Sequence, residues 1–88
     1  MPYDYIDNFK YKLTGWTPEN RDKLIKASYN FVNDSFKSPI SIARSAESIA
    51  HACLYLASRY IGREIQLDAE VDEECLKYIM ELYEKFIT

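Results

Sequence analysis

The stretch SIAHACLYLASRYIG, residues 48 to 62, decides the fold. At about 100° per residue, Ile49, Ala50, Ala52, Cys53, Leu54, Leu56, Ala57, Tyr60 and Ile61 spread over roughly 200° of a helix. Glu47, Ser48, His51, Tyr55, Ser58 and Arg59 hold the remainder. A helix resting on a surface shows a narrower apolar stripe and a broad polar face. This one is therefore expected at the centre of its domain, with other elements around it and Leu56 among its most buried residues. Ala50 and Ala57 stand above one another along the helix. Such small side chains let a neighbour approach at the close end of the usual range of about 8–10 Å.

Moving outward, Ser45 offers an N-cap and Glu47 an acidic first turn, so the helix is expected over residues 46–61, closed by Gly62 after Arg59. Upstream, Thr17-Pro18-Glu19 is a helix start: Thr17 caps, Pro18 suits the first position and Glu19 favours the positive end of the dipole. Leu24, Ile25, Ser28, Tyr29, Phe31, Val32 and Phe36 give two adjoining helical rows. Asn33-Asp34-Ser35 ends them, because these side chains compete for backbone hydrogen bonds. Ile6, Phe9 and Leu13 mark an earlier helix, broken at Thr14-Gly15-Trp16, with Trp16 anchoring the loop to the core.

Lys37-Ser38-Pro39 cannot easily continue a helix, and residues 38–43 read as an extended connector that turns Ile40 and Ile42 inward. Residues 63–71 fit either an extended segment, with Ile65 and Leu67 alternating, or a short helical turn. Asp72 caps a last helix whose inner face is Cys75, Leu76, Ile79, Leu82, Tyr83 and Phe86. The expected fold is all-α: four helices, with room for a short fifth, around the central one.

Composition sets the boundaries. The 88 residues fit a single domain over 1–88, and 48% hydrophobic content supplies a modest core. The net charge of −3 and the lack of a basic stripe make nucleic acid an unfavoured partner. No apolar run is long enough to cross a membrane. Cys53 and Cys75 occupy apolar helical positions and read as buried free thiols. With a single histidine there is no metal-ligand set and no triad, so no cofactor, no metal and no enzyme activity are expected. The acidic residues from Asp68 to Glu74 cluster before and within a helix's first turn, where the dipole explains them. His51, Tyr55 and Arg59 share one stripe at i, i+4, i+8 and are the candidate protein-interface residues, since Tyr and Arg are enriched at hot spots.

ASYNFVNDSF followed by ESIAHACLYLASRYIG resembles the second, C-terminal cyclin box of the transcription-type cyclins K, L and T. Tyr29, Phe31, Asn33, Asp34, Ser35 and Phe36 match the first signature. Ile49, Ala50, Ala52, Cys53, Tyr55, Leu56, Ala57 and Arg59 match the second. Tyr29 stands where that family often has tryptophan, and the stretch between Gly62 and Asp72 is shorter than its usual fourth-helix region. The resemblance implies a five-helix domain with a central third helix, forming part of a longer cyclin. It also implies a nuclear regulatory and scaffold role, in which the complete cyclin activates a cyclin-dependent kinase acting on the RNA polymerase II tail and meets accessory or substrate proteins. The alternative is a nucleic-acid-binding repeat like that of the general transcription factor TFIIB, which shares the fold; the acidic balance disfavours it.

Overall fold

The computed structural model describes residues 2–37, 44–67 and 70–87, with side chains described as far as residue 81. Four α-helices follow one another: α1 (Pro2–Phe9, extended by a 3₁₀ turn over Lys10–Lys12), α2 (Pro18–Ser35), α3 (Ala46–Ile61) and α4 (Glu73–Ile87). Among the described residues there is no strand.

The helix ends lie where local chemistry puts them. The Thr17 hydroxyl accepts from the Asn20 N–H at 3.2 Å, and Pro18 follows at the first helical position of α2. At the other end of α2 the Ser35 hydroxyl donates to the Val32 carbonyl at 2.6 Å, and the helix stops there. The Ser45 hydroxyl accepts from the Ser48 N–H at 3.1 Å to start α3. Gly62, at φ 78°, ends it. The Gly62 N–H donates to the Arg59 carbonyl (3.2 Å) and the Arg63 N–H to the Ser58 carbonyl (2.9 Å). This pair of bonds is a Schellman closure, and it needs a left-handed residue at the position glycine takes most easily. Asp72 Oδ1 accepts from the N–H groups of Glu74 (3.0 Å) and Cys75 (3.2 Å), capping α4. The other oxygen of Asp72 lies 3.6 Å from Arg44 Nε, and the Arg44 guanidinium also pairs with Glu74.

α3 is the hub: it contacts α1, α2 and α4, most extensively α2. Ile6 and Phe9 of α1, Leu24, Phe31 and Val32 of α2, and Cys75 and Ile79 of α4 join Ile49, Ala50, Ala52, Cys53, Leu54 and Ala57 in one core. Ser28, fully buried among them, donates its hydroxyl to the Leu24 carbonyl at 2.8 Å and so carries no unmet polar group into the interior. Cys53 and Cys75 are buried and unbonded. Burial pushes the Cys53 thiol up, with Cys75 adding to the effect, and burial lifts Cys75 to about 11. Both therefore stay protonated, poor nucleophiles near neutral pH.

Three expectations change. Leu56 is half-buried against the core rather than at its centre, a place that Leu54, fully buried, takes instead. His51 and Ser58, assigned by periodicity to the polar side, are buried at 4% exposure each: Tyr5 of α1 covers His51, and Ser58 lies beside the returning chain with its hydroxyl turned to the Tyr55 carbonyl. Residues 63–67 and 70–72 form no helix, so the optional fifth helix is absent among the described residues; Ile65, Leu67 and Val71 rest half-buried on the core. The Ser38-Pro39 connector with Ile40 and Ile42, and the inner-face positions Leu82, Tyr83 and Phe86, lie outside the residues whose side chains are described.

Candidate protein-interaction site

The stripe His51, Tyr55, Arg59 does not remain one surface. His51 faces inward: its Nε2 lies 2.5 Å from the Tyr5 hydroxyl, and the two rings meet edge to face with centroids 4.8 Å apart. Tyr5 belongs to α1, which is itself fastened to α2. The Tyr29 hydroxyl donates to Asp7, the Tyr3 hydroxyl donates to Asn33, and the Tyr3 and Tyr29 rings make an edge contact at 5.0 Å. The hydrogen bond to Asp7, helped by burial and the carboxylate's charge, pushes the Tyr29 hydroxyl up to about 12. The histidine thus serves to dock α1 on α3.

Tyr55 and Arg59 lie one and two turns further along, past the end of that cover. They line a cleft of about 270 Å³ together with Ser58, Arg63, Glu64 and Ile65. Its geometry follows from the Schellman closure, which reverses the chain and lays Arg63 to Ile65 beside the last turn of α3. Arg59 Nη1 donates to the Tyr55 hydroxyl at 3.1 Å, and its guanidinium stands 5.7 Å from the Tyr55 ring centroid. The Arg63 guanidinium lies 4.3 Å from the centroid of Trp16, within cation–π range. Among the described residues neither guanidinium forms an ion pair. Ser58 turns its hydroxyl to the Tyr55 carbonyl at 2.7 Å.

Arg63, Glu64, Ile65 and the stacking role of Trp16 escape a reading by helical period, since they come from two connectors. The cue was Gly62: a left-handed residue after a helix sends the chain back along it. The cleft brings together two cations, the Tyr55 ring and one apolar side chain, a set suited to binding. Among the described residues no group of three or more His, Cys, Asp or Glu could hold a metal ion, and no helix is long and apolar enough to cross a membrane.

The sequence is similar to parts of several curated proteins. Cyclin-L2 of Homo sapiens and cyclin-L1 of Gallus gallus are each 36% identical over 78 residues, covering 74% of this chain and 14% of theirs. Cyclin-K of Homo sapiens is 36% identical over 66 residues, covering 74% of this chain and 11% of its own. The chain thus spans about 14% of the length of the curated cyclins L it matches. No protein-family model matches the chain, and no solved structure matches it significantly. These similarities, with the all-α fold, support a cyclin-box region of transcription-type cyclins.

Proposed function

We propose that residues 1–88 form the C-terminal box of a transcription-type cyclin, a non-catalytic module that binds proteins. Within the complete cyclin it stabilises the assembly with a cyclin-dependent kinase acting on the RNA polymerase II tail, and it offers Tyr55 and Arg59 to accessory or substrate proteins in the nucleus. The observation that carries this reading is the 36% identity to human cyclin-L2 and cyclin-K over 74% of the chain. A central helix clasped by α1, α2 and α4 supports it, since it is what the resemblance to that box implies. The structural fit of Tyr55 and Arg59 is their place on an open cleft, while His51 contributes from beneath by holding α1.

The test is affinity purification of the complete cyclin with and without this region, with kinase recovery and phosphorylation of a polymerase-tail peptide as readouts. Deletion is expected to reduce both. Unchanged kinase recovery and unchanged phosphorylation would overturn the reading.

A further inference from the structure

We infer that the cleft at the end of α3 is a docking site for an acidic peptide segment, one that sets a carboxylate between Arg59 and Arg63 and an apolar side chain against Ile65 and Tyr55. The inference deepens the protein-binding reading above and rests on it. It begins with the helix end. An arginine in the last turn of a helix commonly serves its free carbonyls. Here the backbone already closes the helix, through the Gly62 N–H to the Arg59 carbonyl and the Arg63 N–H to the Ser58 carbonyl. The Arg59 guanidinium is therefore not needed by the helix end, and Arg63 lies beyond it.

They are also held in place. Arg59 is tethered by the Tyr55 hydroxyl at 3.1 Å, and Arg63 is stacked on Trp16 at 4.3 Å. Arg63, held over the Trp16 ring, keeps its N–H groups for a carboxylate, Arg59 keeps those not given to Tyr55, and such pairs bind in a geometrically specific way. Restricting the side chains beforehand lowers the cost of ordering them on binding. Neither arginine meets a carboxylate among the described residues, although the chain has 14 acidic side chains against 11 basic ones. In a chain of net charge −3, two guanidiniums with no carboxylate partner among the described residues are a local exception, and charge complementarity selects the partner.

Size and sign narrow it further. At about 270 Å³ the cleft lies below the roughly 300–1,000 Å³ of small-molecule pockets and suits one or two side chains. Glu64 on the same rim, and the net charge of −3, oppose a polyanion such as single-stranded nucleic acid, whose binding needs a continuous basic track. A short peptide with separated carboxylates meets the two cations and leaves Glu64 in water.

The experiment is an NMR titration of the isotope-labelled chain with a 12-residue peptide of alternating Glu and Leu. The same peptide with Gln for Glu and a 12-nucleotide single-stranded DNA are the comparison ligands. Saturable shifts at the Arg59 and Arg63 side-chain N–H signals and the Trp16 indole are expected with the Glu peptide. Affinity should drop at least tenfold with the Gln peptide and in the Arg59→Gln/Arg63→Gln double variant, whose folding the same spectra report. Equal binding of the Glu and Gln peptides, no shifts at these signals, or tighter binding of the DNA would each overturn the proposal. The two readings fail separately: loss of the peptide effect with kinase recovery still dependent on this region sinks only the acidic occupant. Kinase recovery that ignores the region sinks the cyclin reading instead.

Discussion

From Ile49 to Leu54 six consecutive residues of α3 are buried; from Tyr55 to Ile61 only Ala57 and Ser58 are. The two halves have similar sequence character, each mixing alanine, a leucine and polar residues, yet one is enclosed on every side and the other opens on to a cleft. The difference lies along the axis rather than around it. α1 crosses the first half and stops there, held by Tyr5 on His51 and by the Asp7–Tyr29 and Tyr3–Asn33 hydrogen bonds. Beyond it, the second half meets the returning chain on that side, while Tyr60 borders Ala27, Asn30 and Phe31 of α2. A helix can therefore be central by connectivity and still leave its last two turns open on one side.

The sharpest way to break this comparison is to cut one leucine in each half. Leu54→Ala is expected to cost about 2–5 kcal/mol, the range for a fully enclosed leucine. Leu56→Ala, half-buried, should cost about 1–2 kcal/mol, in proportion to the smaller area withdrawn from water. Urea denaturation of both variants checks this, and a Leu56 loss equal to that at Leu54 would erase the distinction between the halves.

Next in size is the lid over the enclosed half. Tyr5→Phe removes the partner of a buried imidazole, and it should cost about 1–3 kcal/mol. Tyr55→Phe, at the open half, is expected to change stability by less than about 0.5 kcal/mol, as for ordinary surface substitutions. Gly62→Ala tests the turn that builds the cleft. An added Cβ would meet nothing within 4 Å, so only the left-handed backbone opposes it. The cost should be about 1–2 kcal/mol, seen as a lower melting temperature.

A pH-dependent effect concerns how α1 is fastened. The Tyr29 hydroxyl ionises near 12 in the folded chain against an ordinary 10. A raised pKa means that the folded state favours the neutral, donating hydroxyl, so its contribution is whole below pH 10 and fades as pH climbs through about 12. The stability gap between the native chain and Tyr29→Phe should accordingly narrow over that interval, and absorbance of tyrosinate should show one phenol ionising late. A gap that stays constant from pH 9 to about 12 would detach this bond from the hold on α1.

Much of this was legible in residue order, and the reasons for the rest are specific. Caps are local, involving hydrogen bonds across two to five residues, so Thr17, Ser45, Gly62 and Asp72 could be read directly and lie where expected. The centrality of α3 was legible because the width of its apolar arc demanded several neighbours. His51 was misplaced because helical period resolves angle but not height along the axis, while Leu56 is half-buried where Leu54 is enclosed. Whether a given height is covered depends on where α1 ends and how it is anchored, which is a matter of contacts between Asp7 and Tyr29 far apart in sequence. The cleft was half legible. Tyr55 and Arg59 stood out by type and spacing, whereas Arg63 and Trp16 join them only through a chain reversal and a loop.

Arg44 and Asp72 do two things with few atoms. One carboxylate oxygen of Asp72 starts α4 and the other greets the arginine that stands just ahead of α3. Entry into the hub helix and entry into the final helix are thereby tied across 27 intervening positions of chain. Fraying at either entrance loosens the other, so amide exchange at Ser48 and at Cys75 should proceed as a single opening event, a cooperative unit bracketed by one ionic latch.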